Sequence, residues 1–237
     1  MHRVIHALWG HVDVTAAALI VAAGRGTRFG SEVPKQYVLI AGICAFRRSV
    51  EKFLSGGDLG LVQAVIHPDD AKMYADAMAG LDDPRLLAPV TGGATRAQSV
   101  LRGLEALSGH APDHVLIHDA ARPFVTDRII RDVLETLQTA EAAFAALPVV
   151  DALWRVEKGA AVAPVSREGL WRAQTPQGFH FQTLLEAHRG YQGDAADDVE
   201  IARAAGMTAR VVEGASENFK ITTPQDLRRA EKLVSVP

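Results

Sequence analysis

The sequence has few of the features that cross-link a protein chain or anchor it in a membrane. Cys44 is the single cysteine among 237 residues, and one thiol forms neither an intramolecular disulfide nor a cysteine-based zinc site. No apolar run approaches the roughly 20 residues that cross a bilayer. The stretch 4–9 is too short, and interrupted by His6, for a signal peptide. We therefore expect a soluble, cytoplasmic protein.

Basic residues are not in excess either. Lysine and arginine number 25 against 28 aspartates and glutamates, which gives a net charge of −3. This balance argues against a nucleic-acid-binding protein, because such proteins usually carry surplus positive charge on their surface. A small polyanionic ligand would have to be bound by a local cluster of cations.

The chain does show a regular alternation of two patterns. Apolar runs of strand length alternate with longer segments of helical periodicity, which is typical of a mostly parallel sheet covered by helices on both faces. A length of 237 residues suffices for one such domain with a large core. The pattern predicts strands at 17–23, 61–66, 114–118, 142–149 and 209–212, and helices at 46–54, 69–78, 97–107, 127–139, 181–188, 199–205 and 224–234.

Two segments interrupt this alternation. Residues 1–15 lack periodicity, so we expect a disordered extension, or a start codon assigned too early, ahead of a single domain at 16–237. Between about 150 and 175 the sequence is irregular and suits a protruding arm or hairpin better than a βα unit. Protruding apolar arms usually have a partner surface. We expect Trp154 and Trp171 to be packing residues.

The strongest local signal follows the first predicted strand. Gly24 and Gly26 would let backbone N–H groups approach a phosphate chain without obstruction from Cβ atoms. Arg25, Arg28 and Lys35 would supply positive charge, which suits a triphosphate whose leaving group is pyrophosphate. On glycine spacing alone, a tight turn with solvated basic residues is an equal alternative.

Two familiar phosphate-binding loops do not fit this segment. A P-loop needs a lysine followed by serine or threonine after its glycines, and no such pair is present there. A dinucleotide-binding loop opens directly into a helix and has an acidic residue at the end of the second strand. Here Gly30 comes one position late and Pro34 interrupts the helix. Glu51, at the right distance, falls inside a predicted helix.

A second glycine segment precedes the predicted helix at 97–107. After Gly92 and Gly93, the backbone and Ser99 could bind the edge of a base, with Arg96 bracing the loop. A capped helix that follows a glycine turn explains the same residues and is the favoured alternative on this motif alone.

Asp119 follows a predicted strand, at the edge of the sheet where open α/β folds bind ligands. Its carboxylate could hold Mg²⁺, which neutralises phosphate oxygens during transfer. Ala120 and Ala121 leave room for a ribose, and Arg122 could bind a second anionic substrate. Simple capping of the following turn by Asp119 and Arg122 is the alternative.

Six segments, in order along the chain, are more specific together than any one of them. They are Ala22-Ala23-Gly24-x-Gly26-x-Arg28, Pro34-Lys35-Gln36-Tyr37, Gly92-Gly93 with Arg96 and Ser99-Val100, His118-Asp119-Ala120-Ala121-Arg122-Pro123, Thr175-Pro176-Gln177, and Val212-Glu213-Gly214 with Asn218-Phe219-Lys220-Ile221-Thr222. From residue 17 to about 233, this pattern resembles the 2-C-methyl-D-erythritol 4-phosphate cytidylyltransferase family.

The resemblance implies an α/β protein with a Rossmann-like nucleotidyltransferase fold: a mostly parallel sheet flanked by helices, with a protruding dimerisation arm. It implies a homodimer that uses Mg²⁺ and binds CTP and a polyol phosphate, and neither nucleic acid nor a membrane. The implied reaction transfers CMP from CTP to methylerythritol phosphate and releases pyrophosphate, as a step of non-mevalonate isoprenoid precursor synthesis.

The resemblance also implies roles for single residues. Arg28 and Lys35 would grip the triphosphate and stabilise charge at the α-phosphorus, and Arg167 would reach the acceptor across the dimer. The implied sets are Arg28, Lys35 and Lys220 for catalysis; Ala22, Ala23, Gly24, Gly26, Gly93, Ser99 and Ala120 for the nucleotide; Asp119, Arg122, Arg167, Thr175 and Lys220 for the acceptor; and Asp119 for the metal.

This chemistry needs no catalytic histidine or cysteine. A phosphate monoester is already a nucleophile at neutral pH, so catalysis reduces to positioning and charge neutralisation. His118 precedes Asp119, but strand alternation points it to the opposite face, and we expect a buried core histidine. We expect Cys44 to be a packing residue.

The chain departs from the family pattern at three places. Asp151-Ala152-Leu153-Trp154 replaces a common Asp-Thr-x-Lys, and the lost hydroxyl excludes Ala152 from the site. Ala94 replaces an acidic residue, and Ala196-Asp197-Asp198 replaces Thr-Asp-Glu. Two alternatives stay open: a related enzyme that acts on ribitol 5-phosphate, and a nucleotide-binding protein without turnover.

Overall fold

The computed structural model describes residues 16–25 and 33–235. The predicted N-terminal extension at 1–15 lies outside these residues, as do Gly26 and Arg28 of the glycine-rich loop. Within the described part of the chain, no helix has both the length and the apolar content that crossing a membrane requires.

Strands and helices alternate along the chain, and each predicted element is present within three residues of its predicted ends. The strands are β1 (Ala16–Ala22), β2 (Leu39–Ile40), β3 (Ile43–Cys44), β4 (Leu61–Ile66), β5 (Val90–Thr91), β6 (His114–Asp119), β7 (Ala142–Pro148), β8 (Leu153–Glu157), β9 (Ala160–Val165), β10 (Trp171–His180) and β11 (Ala209–Glu213). The helices are α1 (Ala45–Ser55), α2 (Ala71–Met78), α3 (Arg96–Leu107), α4 (Asp127–Thr136), α5 (Phe181–Gly190), α6 (Asp198–Ala204) and α7 (Pro224–Ser235).

Side-chain caps fix where three of the helices begin. Thr95, Thr126 and Asp197 precede α3, α4 and α6, and each accepts a hydrogen bond from the backbone N–H three residues further on. Such a cap satisfies a donor that the first turn of a helix leaves unpaired. Two of these helices, α3 and α6, therefore begin at defined points beside the cleft described below.

Seven strands form the main sheet, in the order β11-β7-β10-β6-β1-β4-β5. All neighbouring strands are parallel except β10, which runs antiparallel to both β6 and β7. In the registers of β1 with its two neighbours, Ala22 lies opposite Ile66 and Val21 lies opposite Asp119. The carboxyl ends of β1, β4 and β6 therefore meet at one edge of the sheet.

The sheet is buried on both faces, which explains the continuous apolar runs of its central strands. Ile20 belongs to a core shared with Phe46 and Phe53 of α1. Leu19, its neighbour in sequence, belongs to a second core with Leu104 of α3 and Leu184 of α5. Because successive strand residues point to opposite faces, one strand serves both cores, and the predicted α/β class is confirmed.

The expectation of an irregular arm up to residue 175 is wrong at its end. The segment from Trp171 onward is strand β10, which lies inside the main sheet between β6 and β7. Its pairing with β7 shifts register between Ala173 and Gln177. Pro176 has no N–H to donate to a ladder, and the residues between Ala173 and Gln177 have no regular pairing, so periodicity did not indicate a strand there.

Strands β8 and β9 form a separate antiparallel hairpin, which confirms the predicted arm for this part of the segment. Trp154 is 56% exposed and Trp171 47% exposed, so the single chain does not show the packing expected of them. Apolar side chains on and beside the hairpin are also exposed, among them Val156, Val162 and Val165. Cys44, by contrast, is buried as expected.

Candidate active site

A cleft of about 480 Å³ opens at the carboxyl ends of β1 and β6. A larger groove of about 790 Å³ lies between the β2–β3 hairpin and helices α1 and α2, but its lining is mostly apolar. The smaller cleft collects charged residues from distant parts of the chain, and we assign the site to it. Its walls are formed by 21–25, 35–36, His67, 93–96, Ser99, Asp119, Ala121, Lys220 and Thr222.

The first wall is the end of β1. Gln36 is buried, and its side-chain amide donates to the carbonyl oxygens of Ala22, at 2.7 Å, and Gly24, at 3.2 Å. These bonds hold the strand end beside the short helical turn that carries Lys35, and Lys35 lines the cleft. Gly24 and Lys35 therefore line the same cleft.

Arg25 differs from its predicted role as a cation of the phosphate loop. Its guanidinium pairs with Asp70, at 2.9 Å, and with Asp69, and it also contacts His67. Asp70 is fully buried. A guanidinium that pairs with two carboxylates has little net charge left for a triphosphate, so Arg25 holds the end of β1 against the segment after β4.

The second wall is the turn before α3. A Cβ atom on Gly92 would lie 2.4 Å from that of Ala23, so only glycine fits where this turn meets β1. Ser99 is buried: its hydroxyl accepts from the Gly93 N–H at 3.1 Å and donates to the Thr95 carbonyl at 2.9 Å. The capped-helix interpretation is confirmed, and Ser99 shapes the loop. A contact from Ser99 to a base stays a prediction.

Asp119, at the end of β6, lies at the centre of the cleft's charges. Its Oδ2 is 2.9 Å from Lys220 Nζ and 3.4 Å from Arg122 Nε, and its Oδ1 is 3.9 Å from Arg96 Nε. Burial alone would raise the pKa of this carboxyl, but the cations Lys220, Arg96 and Arg122 outweigh it and hold the pKa far below its usual range. Asp119 is therefore ionised at any physiological pH.

Arg96 connects Asp119 to a second buried carboxylate. Its Nη2 lies 2.7 Å from Oδ2 of Asp198, the first residue of α6, and His188 Nε2 lies 3.2 Å from the other oxygen. Asp198 is fully buried, and although burial raises its pKa, Arg96 and His188 lower it overall. Sequence reasoning gave Arg96 a bracing role but missed Asp198 as its partner, because the two are far apart in the chain.

Several predicted ligand-binding residues lie behind the cleft. Thr175 is 4% exposed, and its hydroxyl is hydrogen-bonded to the Asp119 N–H and to His118. Ala120 is also buried and donates its N–H to the Val21 carbonyl. Ala121 lines the cleft in its place. These residues position the wall, and their direct contact with a ligand stays a prediction.

His118 is fully buried, as expected, and burial lowers its pKa to about 4. The imidazole is therefore neutral at neutral pH. Arg122 is also largely buried, and its Nη1 donates to the Asn218 carbonyl at 2.8 Å.

Arg167 lies apart from these residues. It is exposed on the loop between β9 and β10, contacts the backbone carbonyl of Val150, and does not line the cleft of its own chain. Ala152 is likewise exposed, at the start of the arm. Neither residue belongs to the site that a single chain forms among its described residues.

The fold and the cleft together define a class. A mostly parallel α/β sheet with a cation-lined cleft at the carboxyl ends of its strands, beside a glycine-rich loop, is the architecture of an α/β nucleotidyltransferase. The family model for 2-C-methyl-D-erythritol 4-phosphate cytidylyltransferase matches residues 16–235. The chain belongs to this family.

Named relatives and solved structures agree with this assignment. The 2-C-methyl-D-erythritol 4-phosphate cytidylyltransferase of Cereibacter sphaeroides is 47% identical over 94% of this chain and 98% of its own length. A bifunctional enzyme IspD/IspF of Rhodospirillum rubrum is 48% identical, but the match covers 92% of this chain and 56% of that protein. The Thermus thermophilus cytidylyltransferase structure superposes with a TM-score of 0.73 at 36% identity, covering 93% of this chain and 98% of that one.

The ion pair between Arg96 and Asp198 generates a stability prediction. Arg96→Met should lower the free energy of unfolding by about 3 kcal/mol, because it leaves Asp198 buried without its cation. Urea unfolding measures the change. Arg131→Met, at an exposed arginine of α4, is the matched control and should change stability by less than about 0.5 kcal/mol. Equal effects of the two substitutions would contradict a structural role for this pair.

Proposed function

We propose that this cleft transfers CMP from CTP to 2-C-methyl-D-erythritol 4-phosphate, giving 4-diphosphocytidyl-2-C-methyl-D-erythritol and pyrophosphate, as a step of non-mevalonate isoprenoid precursor synthesis. The observation that carries the proposal is the convergence of Lys35, Lys220 and Asp119 on one cleft at the ends of β1 and β6, in a chain of this family. A cytoplasmic setting is part of the proposal and suits the single, buried thiol of Cys44.

The charge of the cleft suits two phosphate-bearing substrates. Around Asp119, the three cations Arg96, Arg122 and Lys220 share two carboxylates, those of Asp119 and Asp198. These cations outnumber the two carboxylates by one, and Lys35 also lines the cleft. In a partly buried cleft such charges act more strongly than in water, so a polyanion is bound although the whole chain is negative.

The residues divide between the two substrates by their place in the cleft. The end of β1, from Ala22 to Gly24, and the turn at Gly93 form the wall on which the nucleotide would lie. Lys35 would neutralise the triphosphate, with Arg28 as its predicted partner. Lys220 also lines the cleft, beside Asp119, and there it would hold the acceptor phosphate next to the α-phosphorus.

Catalysis then follows from position and charge. The acceptor phosphate is a monoester that carries its own nucleophilic oxygen at neutral pH, so the cleft needs no general base. Holding both phosphates together against their mutual repulsion, and neutralising the charge that passes to the leaving pyrophosphate, accounts for the rate enhancement. Asp119 contributes by holding Lys220 and Arg122 in place.

Mg²⁺ fits this cleft as part of the proposal. Among the described residues, no group of three or more histidine, cysteine or acidic side chains could hold a metal ion alone. Mg²⁺ in phosphoryl-transfer sites typically takes one or two carboxylates and completes its shell with substrate phosphates and water. Oδ1 of Asp119, which has only a distant cation beside it, is the oxygen suited to it. Bound there, Mg²⁺ would neutralise phosphate oxygens of the nucleotide.

A homodimer formed through the arm is also part of the proposal. The exposed apolar side chains of the β8–β9 hairpin need a partner surface. Arg167, next to this hairpin, does not line the cleft of its own chain. In a symmetric dimer, each arm would bring Arg167 to the acceptor end of the partner's cleft.

The reaction itself is the first test. The purified chain, incubated with CTP, Mg²⁺ and methylerythritol phosphate, should release pyrophosphate in proportion to nucleotide consumed. Chelation of Mg²⁺ by EDTA should abolish release, because the nucleotide phosphates lose their counter-charge. Ribitol 5-phosphate, tested in parallel, should react more slowly. Normal CTP binding without release would instead favour a nucleotide-binding protein, and faster release with ribitol 5-phosphate would reassign the acceptor.

Lys35→Ala tests whether Lys35 neutralises the triphosphate. The substitution should lower kcat by at least about tenfold, since a desolvated cation that acts on the transition state contributes several kcal/mol. Steady-state pyrophosphate release measures it. Lys232→Ala, at an exposed lysine of α7, is the matched control and should retain wild-type kcat. An unchanged kcat for Lys35→Ala would refute the assigned role.

The shared cleft can be tested by complementation. Lys35→Ala and Arg167→Ala proteins should each be impaired, because each cleft needs Lys35 from one chain and Arg167 from the other. After mixing and subunit exchange, heterodimers would contain one intact cleft, so activity should rise to roughly a quarter of the wild-type value for a symmetric dimer. No gain, with exchange verified by mass spectrometry, would mean that Arg167 acts within its own chain or not at all.

A further inference from the structure

We propose that His118 is a positioning residue: through Thr175 and the Arg122 backbone it holds Asp119 and Arg122 where the acceptor phosphate needs them. The inference rests on the proposed function for its kinetic consequences. The chain of hydrogen bonds behind the cleft is present whichever acceptor substrate the enzyme uses.

The direction of the hydrogen bonds can be worked out atom by atom. His118 Nε2 lies 3.0 Å from the Arg122 carbonyl oxygen, which can only accept, so Nε2 carries the proton. In a neutral imidazole the other nitrogen, Nδ1, then accepts. It lies 3.1 Å from Thr175 Oγ1, so the threonine hydroxyl donates to it. The same Oγ1 accepts from the Asp119 N–H at 3.0 Å.

A protonated imidazole would break this pattern. With both ring nitrogens donating, Thr175 Oγ1 would have to accept from Nδ1 as well as from Asp119, and its own proton would lose the acceptor it has here. The ring is fully buried and packs against Phe53, with centroids 4.8 Å apart. One tautomer of the neutral ring therefore satisfies every polar atom in the chain of bonds.

The way the sheet ends leaves the Asp119 N–H to be bonded by the Thr175 side chain. The ladder between β6 and β10 has its last pair at Ile117 and Gln177, and the pairing of β10 with β7 also shifts register between Ala173 and Gln177. On that side the N–H of Asp119 has no strand carbonyl opposite it and donates to the Thr175 side chain. The bond to the Thr175 hydroxyl, whose orientation His118 sets, thus takes the place of one backbone hydrogen bond of the sheet.

Asn218 connects a third segment, the loop before α7, to this hydrogen-bond network. Its side-chain amide donates to the Thr175 carbonyl at 2.9 Å, and its own carbonyl accepts from Arg122 Nη1 at 2.8 Å. Lys220, which pairs with Asp119, follows two residues later. His118 therefore lies at the junction of the three segments that supply Asp119, Arg122 and Lys220, although it does not line the cleft itself.

Two substitutions separate the contributions of the two hydrogen bonds that the His118 imidazole makes. Asn places its amide near the position of Nδ1, so His118→Asn can accept from Thr175 but cannot reach Arg122. Gln extends to the position of Nε2, so His118→Gln can donate to the Arg122 carbonyl but loses the acceptor for Thr175. His118→Leu removes both bonds.

The expected kinetics follow from which bond is kept. His118→Asn should raise KM for the acceptor about tenfold with a small change in kcat, because Arg122 is released. His118→Gln should lower kcat about tenfold, because Asp119 and Lys220 shift together. The dissociation constant for CTP should stay within about twofold in His118→Asn, in which the bond that orients Asp119 is kept. His114→Asn, at the other end of β6, is the matched control and should leave all these constants unchanged.

Thr175 provides an independent measurement if the histidine variants fold poorly. Thr175→Val is nearly isosteric and lacks the hydroxyl, whereas Thr175→Ser keeps it. Hydrogen exchange at the Asp119 amide should accelerate at least about tenfold in Thr175→Val and His118→Gln and stay slow in Thr175→Ser and His118→Asn. This readout needs no turnover, so a failure of the proposed reaction would not be mistaken for a failure of the positioning role.

The proposal would be overturned by either of two results. One is Asp119 exchange that is the same in Thr175→Val as in the wild type. The other is a set of His118 variants that lose thermal stability while acceptor KM and kcat stay at wild-type values, which is the behaviour of a residue that only fills the core.

Discussion

A buried carboxylate that must stay ionised organises this protein. Asp119 is 7% exposed, and burial of an isolated charge is unfavourable enough that the group would take up a proton instead. Three cations from separate segments offset that cost: Arg96 of α3, Arg122 of the turn after β6, and Lys220 of the loop before α7. Under the proposed function, those side chains are also the ones that bind the two phosphate-bearing substrates. The interaction that lets Asp119 be buried therefore assembles the cleft.

The sheet makes this convergence possible. Parallel β1 and β6 end at the same edge, and the antiparallel β10 brings Thr175 behind Asp119 where its own ladder is interrupted. Charges that are not needed for ligands are neutralised nearby: Arg25 pairs with Asp69 and Asp70, and Arg96 is shared with Asp198. The cleft thus has a small surplus of positive charge within a chain whose net charge is −3.

Much of this arrangement could be predicted. Apolar runs such as that of β4 and periodic segments such as α3 follow from local patterns, and the order of six short motifs indicated the family and placed Asp119 at a strand end. The predictions failed where the local pattern is ambiguous. In β10, Gln174, Thr175 and Pro176 have no regular pairing, and the pairing of the residues on either side of them with β7 keeps this segment in the sheet. Trp154 and Trp171 are exposed in the single chain, which residue type alone did not indicate.

The α/β class, the elements that build the sheet and the family could be inferred from the sequence. These depend on residue type and short-range spacing. Tertiary structure alone decided which charges meet. It removed Arg25 from the phosphate-binding set, placed Thr175 behind the wall, gave Arg96 a partner 102 positions further along the chain, and set His118 between Asp119 and Arg122. Charge and hydrogen bonding depend on distances of a few ångströms, and a sequence determines such distances only after the whole chain has packed.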